Sequence, residues 1–121
     1  MLTICSLSGL RNHQSDINYM AVRFLKNKIN GVENLPQLSP SPELFSKLKQ
    51  CETVEEFNGF RESFLKEMEA KTSKEAIYSI KEILDLGYSV TICCYCGSRE
   101  KCHTKFLAEM FKELGCEVSI I

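Results

Sequence analysis

Tyr88-Ser89-Val90-Thr91-Ile92-Cys93-Cys94 is the stretch on which the architecture turns. It is nearly continuous in apolar, β-branched and aromatic residues, the composition of a strand covered on both faces. A polar loop follows, Gly97-Ser98-Arg99-Glu100-Lys101. In Cys102–Leu114 the residues Phe106, Leu107, Met110, Phe111 and Leu114 recur at helical spacing, and Gly115 supplies a stop. Glu117-Val118-Ser119-Ile120-Ile121 reads as one more strand. Strand, helix and strand in succession make a βαβ unit, which requires parallel strands and a right-handed crossover. The expected class is therefore α/β: one domain over residues 1–121, with a small, mostly parallel sheet flanked by helices in a Rossmann-like, three-layer arrangement.

Working towards the N-terminus, Thr72-Ser73-Lys74-Glu75 has the form of a capping box ahead of a helix that buries Ile77, Ile80, Ile83 and Leu84 and stops at Gly87. Thr53-Val54-Glu55-Glu56 is a second capping box. Phe57, Phe60, Phe64 and Met68 after it form a stripe better suited to a core than to a cofactor. Ser41-Pro42-Glu43 starts a short helix over Glu43–Lys49, and the prolines of Leu35–Pro42 make that segment an extended connection. Leu2–Leu7 is a first strand ending in Ser6-Leu7-Ser8-Gly9. Ser15 or Asp16 then caps a predicted helix with Ile17, Met20, Ala21 and Phe24 on one face, ended by Gly31.

The composition narrows the function classes. The chain has 121 residues, with 15 Lys+Arg against 16 Asp+Glu, a net charge of −1. At 44% hydrophobic and 26% charged it is a globular sequence, neither disordered nor collagen-like. The near-zero charge gives no global reason to bind nucleic acid, and no apolar run is long enough to imply a membrane partner. The first residues, Met1-Leu2-Thr3-Ile4-Cys5, lack the basic region of a secretion signal. The cysteine count is odd, at 7, and four cysteines fall within ten residues. Free thiols in a reducing cytoplasm are expected rather than a disulfide scaffold. Cys5, Cys93 and Cys116 sit in apolar runs, where cysteine acts as a small buried hydrophobe; Cys51 belongs to no pattern.

The chemistry concentrates in Cys94-Tyr95-Cys96-Gly97-Ser98-Arg99-Glu100-Lys101-Cys102-His103. Open α/β sheets bind ligands beyond the carboxyl ends of their strands, and a helix start offers unpaired N–H groups to an anion. Cys96, Gly97, Ser98, Arg99 and Lys101, with Ser8 from the first loop, are the expected binding residues for a small anionic ligand, a nucleotide among the candidates. Lys105 adds charge of the same sign, and Ser6 another hydroxyl. No Walker or G-x-G-x-x-G motif is present, and no cofactor is implied. A second reading makes Cys102 a nucleophile activated at the helix start, assisted by His103 or by His13 of the first loop. A third gathers Cys94, Cys96, Cys102 and His103 around zinc. Their C-x-C-x5-C-H spacing is not a standard zinc pattern, and residues 94 and 96 would have to leave strand geometry to converge, so metal ranks below the anion. A fourth reading is a protein partner for the acidic helix over Glu55–Glu69.

Two segments resemble the domain-of-unknown-function 488 family. Leu38-Ser39-Pro40-Ser41-Pro42-Glu43-Leu44, continuing into Thr53-Val54-Glu55-Glu56-Phe57, is similar to a stretch that precedes a helix there. Val90–Gly115 is similar to that family's strand, charged loop, Cys-His-Arg and amphipathic helix. Thr104 stands where the family usually has arginine. The opening lacks a clear counterpart of the family's Gly-containing first loop and Asp-Val-Arg strand. The resemblance implies a small cytoplasmic α/β domain of the kind found in bacteria and their phages, with no settled reaction attached.

Overall fold

In the computed structural model, which describes residues 1–96 and 98–121, five strands build one all-parallel sheet. They are β1 (Leu2–Ser6), β2 (Ile17–Met20), β3 (Val32–Asn34), β4 (Val90–Cys94) and β5 (Val118–Ile120), in the order β3-β2-β4-β1-β5. The helices are α1 (Leu7–Leu10), α2 (Pro42–Lys49), α3 (Val54–Asn58), α4 (Arg61–Glu67), α5 (Lys71–Asp85) and α6 (Thr104–Glu113). All five residues of β4 are buried. On one side Val90 and Cys94 pair with Leu2 and Ser6 of β1; on the other Val90 and Cys93 pair with Ile17 and Met20 of β2. The expected βαβ unit is present, with one difference: β4 and β5 are parallel but not adjacent, because β1 lies between them.

The strand order explains how the layers fill. The connections β3→β4 and β4→β5 run in one direction across the sheet, while β1→β2 and β2→β3 run in the other. Right-handed crossovers therefore send the two sets to opposite faces. The packing agrees. Leu2, Ile4, Val90 and Ile92 meet Phe57, Phe64, Ile77, Ile80, Phe106 and Phe111 from the helices in the larger core. The alternate residues Cys5, Met20 and Cys93 meet Leu10 of α1 and Val22, Leu25 and Ile29 of the β2–β3 connection. The result is a three-layer α/β domain with one thick and one thin outer layer. In the thick layer Phe106 stacks on Phe57 at 5.2 Å between centroids and leans on Phe64 at 5.7 Å.

Several local expectations change. Residues Ile17–Met20 form a strand, not a helix, and β3 at Val32–Asn34 is an element the pattern did not reveal. The apolar positions 17 and 20 fit a helical period by coincidence. The open edge of β4 offers a full ladder of backbone partners, and that tertiary gain outweighs weak local preference. Asp16 caps no helix: its carboxylate accepts from Ser89 N–H at 2.8 Å and Ser89 Oγ–H at 3.0 Å, tying the start of β2 to that of β4. Thr72 and Ser73 lie inside α5, which begins at Lys71, and Ser73 Oγ donates to the Gln37 carbonyl at 2.6 Å. The aromatic stripe is split into α3 and α4 around Gly59 and Phe60. Within Leu35–Pro42, residues Pro36–Leu38 coil into a 3-10 turn. The start at Ser41 is as read, its hydroxyl accepting from Leu44 N–H, and Thr53 likewise accepts from Glu56 N–H.

The hydrogen bonds from Ser89 hold the Asp16 carboxyl below its ordinary value. A depressed carboxyl contributes stability above the unfolded range and loses it as pH falls through the folded value. The Tm gap between the natural chain and Asp16→Ala is thus expected to be widest near neutral pH and to close below about pH 4, as thermal melts across pH would show.

Candidate functional site

Three cysteine sulfurs converge where β4 ends. Cys94 is the last residue of β4, Cys96 lies in the loop, and Cys102 precedes α6 by two positions. Their Sγ atoms all lie within 4.8 Å of one another, with Cys94 and Cys102 at 2.9 Å. All seven cysteines are free thiols. Arg99 folds inward over this group: both terminal nitrogens sit 3.5 Å from Cys94 Sγ, and Nη2 donates to the Cys96 carbonyl. Thr104 Oγ1 donates to Cys102 Sγ at 3.1 Å while accepting from Arg99 Nη1 at 3.4 Å. Thr104, standing in place of the expected arginine, thus links Arg99 to the sulfur cluster.

His103 is buried against Phe64. Its Nε2 lies 2.8 Å from the Ala21 carbonyl, which can only accept, so Nε2 carries the proton. Nδ1 is left bare, 3.9 Å from Cys102 Sγ. Burial pushes the imidazole below its usual range, so the ring is neutral near pH 7. Hydrogen bonds from Cys102 and Cys96, aided by the Arg99 guanidinium, pull the Cys94 thiol down. The same sharing pushes Cys96 and Cys102 up. Negative charge in the cluster therefore resides on Cys94, beside the guanidinium. Cys93, by contrast, is pushed up to about 12 by burial, as an ordinary core thiol.

The helix start is not the open mouth that the sequence suggested. Helix α6 begins at Thr104 with His103 as its N-cap, and Cys102, His103 and Thr104 are 1%, 5% and 0% exposed. The side chains that follow the strand turn inward, so Cys102 is shut away from solvent. A hollow lies to one side. A cleft of about 780 Å³ opens beyond the carboxyl ends of β1 and β4, lined by Ser6, Leu7, Ser8, Arg11, Asn12, Tyr95 and Cys96. Ser8 and Cys96 of the expected binding residues line it. Arg99 is committed to the cysteines, Ser98 and Lys101 are exposed away from it, and Gly97 lies outside the described residues. His13 is not part of the lining; its carbonyl accepts from Thr91. Arg11, Asn12 and Tyr95 are contributors that spacing did not single out. Their only signal was the polar loop directly after a first strand. Tyr95 is held in place by its hydroxyl, which accepts from Lys26 N–H, with Lys26 Nζ 5.1 Å from the ring centre.

Exposure sets an order of reactivity. Cys96 is the only partly open sulfur of the three, whereas Cys94 and Cys102 are shielded. Timed iodoacetamide labelling of the native, reduced protein followed by mass spectrometry is expected to modify Cys96 well before Cys94 or Cys102. Cys96, its thiol pushed up by the shared hydrogen bonds, and Cys102 should both react more slowly than a free peptide thiol.

Among comparisons with known proteins, a family model described as the active DUF488-N3 subclade matches residues 2–115. The match starts at Leu2, so it takes in the opening strand that the resemblance had left aside. No curated protein and no solved structure matches the chain. No described helix is long and apolar enough to cross a membrane. With nearly the whole chain covered, from the first strand through α6 to Gly115, this protein belongs to the DUF488 family.

Proposed function

We propose that this protein binds a small anionic ligand, phosphate-bearing and nucleotide-like in size, in the cleft between the β1 and β4 loops. The observation that carries the reading is the lining itself. Arg11 is exposed, makes no ion pair among the described residues, and lines the cleft together with Ser6, Ser8 and Asn12. The Ser6 and Ser8 hydroxyls share a hydrogen bond of 2.8 Å, which leaves one O–H free to donate to an oxyanion. Adjacent strands β1 and β4 send their connections to opposite faces, which opens a crevice at the carboxyl edge of the sheet. The volume falls within the ~300–1,000 Å³ usual for small-ligand sites. The uncrosslinked cysteines favour a reducing, cytoplasmic setting.

A second reading, thiol catalysis by Cys102 with His103 as its base, is favoured by one contact: the bare Nδ1 faces Cys102 Sγ, and the Ala21 carbonyl orients the ring. Burial of both groups ranks it second, and preferential alkylation of Cys102 would reverse that ranking.

Calorimetric titration with inorganic phosphate, nucleoside monophosphates and nucleoside diphosphates tests the first reading. At least one is expected to bind, and Arg11→Ala, a change at an exposed position, is expected to weaken it roughly 10- to 100-fold, the worth of ~1.5–3 kcal/mol for a charged hydrogen bond. No heat and no thermal stabilisation with any phosphorylated ligand would overturn it.

A further inference from the structure

We propose that Cys94, Cys96 and Cys102 form a site for a soft divalent cation, zinc by its donor chemistry, with His103 Nδ1 as the fourth donor. The site goes beyond the anion cleft, with which it shares only Cys96. Three thiols from the end of a strand, a loop and the turn before a helix meet around one point without forming a disulfide. Tetrahedral zinc with Zn–S bonds of ~2.3 Å sets its sulfurs about 3.8 Å apart, and a Zn–N bond of ~2.0–2.1 Å sets nitrogen about 3.6 Å from sulfur. The Cys94–Cys102 separation of 2.9 Å and the 4.8 Å bound on the whole group surround the first value. The 3.9 Å from His103 Nδ1 to Cys102 Sγ lies near the second. His103 lies outside the group whose ligand atoms are all within 4.8 Å of one another, so the three sulfurs form the preassembled part of the site and the imidazole closes in to complete it.

The surroundings are those a metal centre needs. A histidine that ligates through one nitrogen fixes the other with a hydrogen bond to a carbonyl or carboxylate, and Ala21 supplies the carbonyl. Arg99 and Thr104 donate to the sulfurs of Cys94 and Cys102, as outer-shell donors do for thiolates. The charges also balance. Three thiolates and Zn²⁺ sum to −1, and the Arg99 guanidinium brings the buried group to zero, avoiding the large cost of an uncompensated charge away from water. The binding step is proton exchange alone: each cysteine still protonated releases its proton to solvent as its Zn–S bond forms, a sulfur already in the thiolate form binds as such, and no electron is transferred. Convergence was unexpected from C-x-C-x5-C-H because residues 94 and 96, on one face of a continued strand, would stand about 7 Å apart. The strand ends at Cys94, and the bend at Tyr95 brings Cys96 back towards it.

The test uses the full chain, reduced and stripped of metal, with folding verified by circular dichroism. Zinc and cobalt(II) are titrated separately. One equivalent of zinc per chain is expected. Cobalt is expected to give a tetrahedral spectrum whose thiolate-to-metal charge-transfer intensity corresponds to three sulfurs. Cys96→Ser, at a half-exposed position, should lose about a third of that intensity and bind at least tenfold more weakly; Cys51→Ser should change neither. Arg11→Ala should keep full zinc content, which separates failure of this site from failure of the cleft. Folded, reduced protein that takes up less than about a tenth of an equivalent would overturn the proposal. So would a cobalt spectrum unchanged by Cys96→Ser.

Discussion

Strand β4 bonds to β2 on one side and β1 on the other, and every one of its residues is out of solvent. A strand in that position has no backbone group left for water, so both neighbours must be present and in register for it to exist. The remaining structure follows from the placement. Val90 and Ile92 project into the thick core beneath α5 and α6, while Cys93 and Met20 form the thin core on the reverse. Because β4 is central, its carboxyl end opens between two loops that depart in opposite directions. The cleft and the cysteine cluster both lie there and share Cys96.

The two features differ in their physics. The cleft is polar, open and close to Arg11, a cation that no acidic partner neutralises among the described residues. The cluster is enclosed, and its cation, Arg99, is already engaged with sulfur. An anion gains from the first environment and would be redundant in the second, where negative charge is supplied by the thiols themselves. Cys96 belongs to both, so a ligand in the cleft would lie against one member of the cluster.

Much of the thick layer was legible because its signals are local and independent. The hydroxyl of Ser41 and that of Thr53 cap the helices they were expected to cap. Phe57, Phe64 and Met68 are buried as their spacing implies, even though Gly59 interrupts the helix. The thin layer was less legible. Ile17–Met20 is four residues long and Val32–Asn34 three, too short for either period to declare itself. Both are strands because β4 presents an edge to the first and the first presents one to the second. The lining of the cleft shows the same division. Ser8 and Cys96 were recognisable by their positions after strands, but Arg11 and Asn12 come from a loop whose course depends on β2 pairing with β4.

By itself the sequence determined the α/β class, the central strand, the helices that cover it and the segment in which the cysteines and basic residues gather. Apolar periodicity and capping chemistry act over a few residues and need no distant partner. Tertiary structure alone decided that Cys94, Cys96 and Cys102 meet, that Arg99 turns towards sulfur, and that a cleft opens beside Arg11 while Cys102 is shut away from solvent. Those outcomes depend on where the chain bends after Cys94 and on which surface the core claims first, and both are set by contacts between residues far apart in the chain.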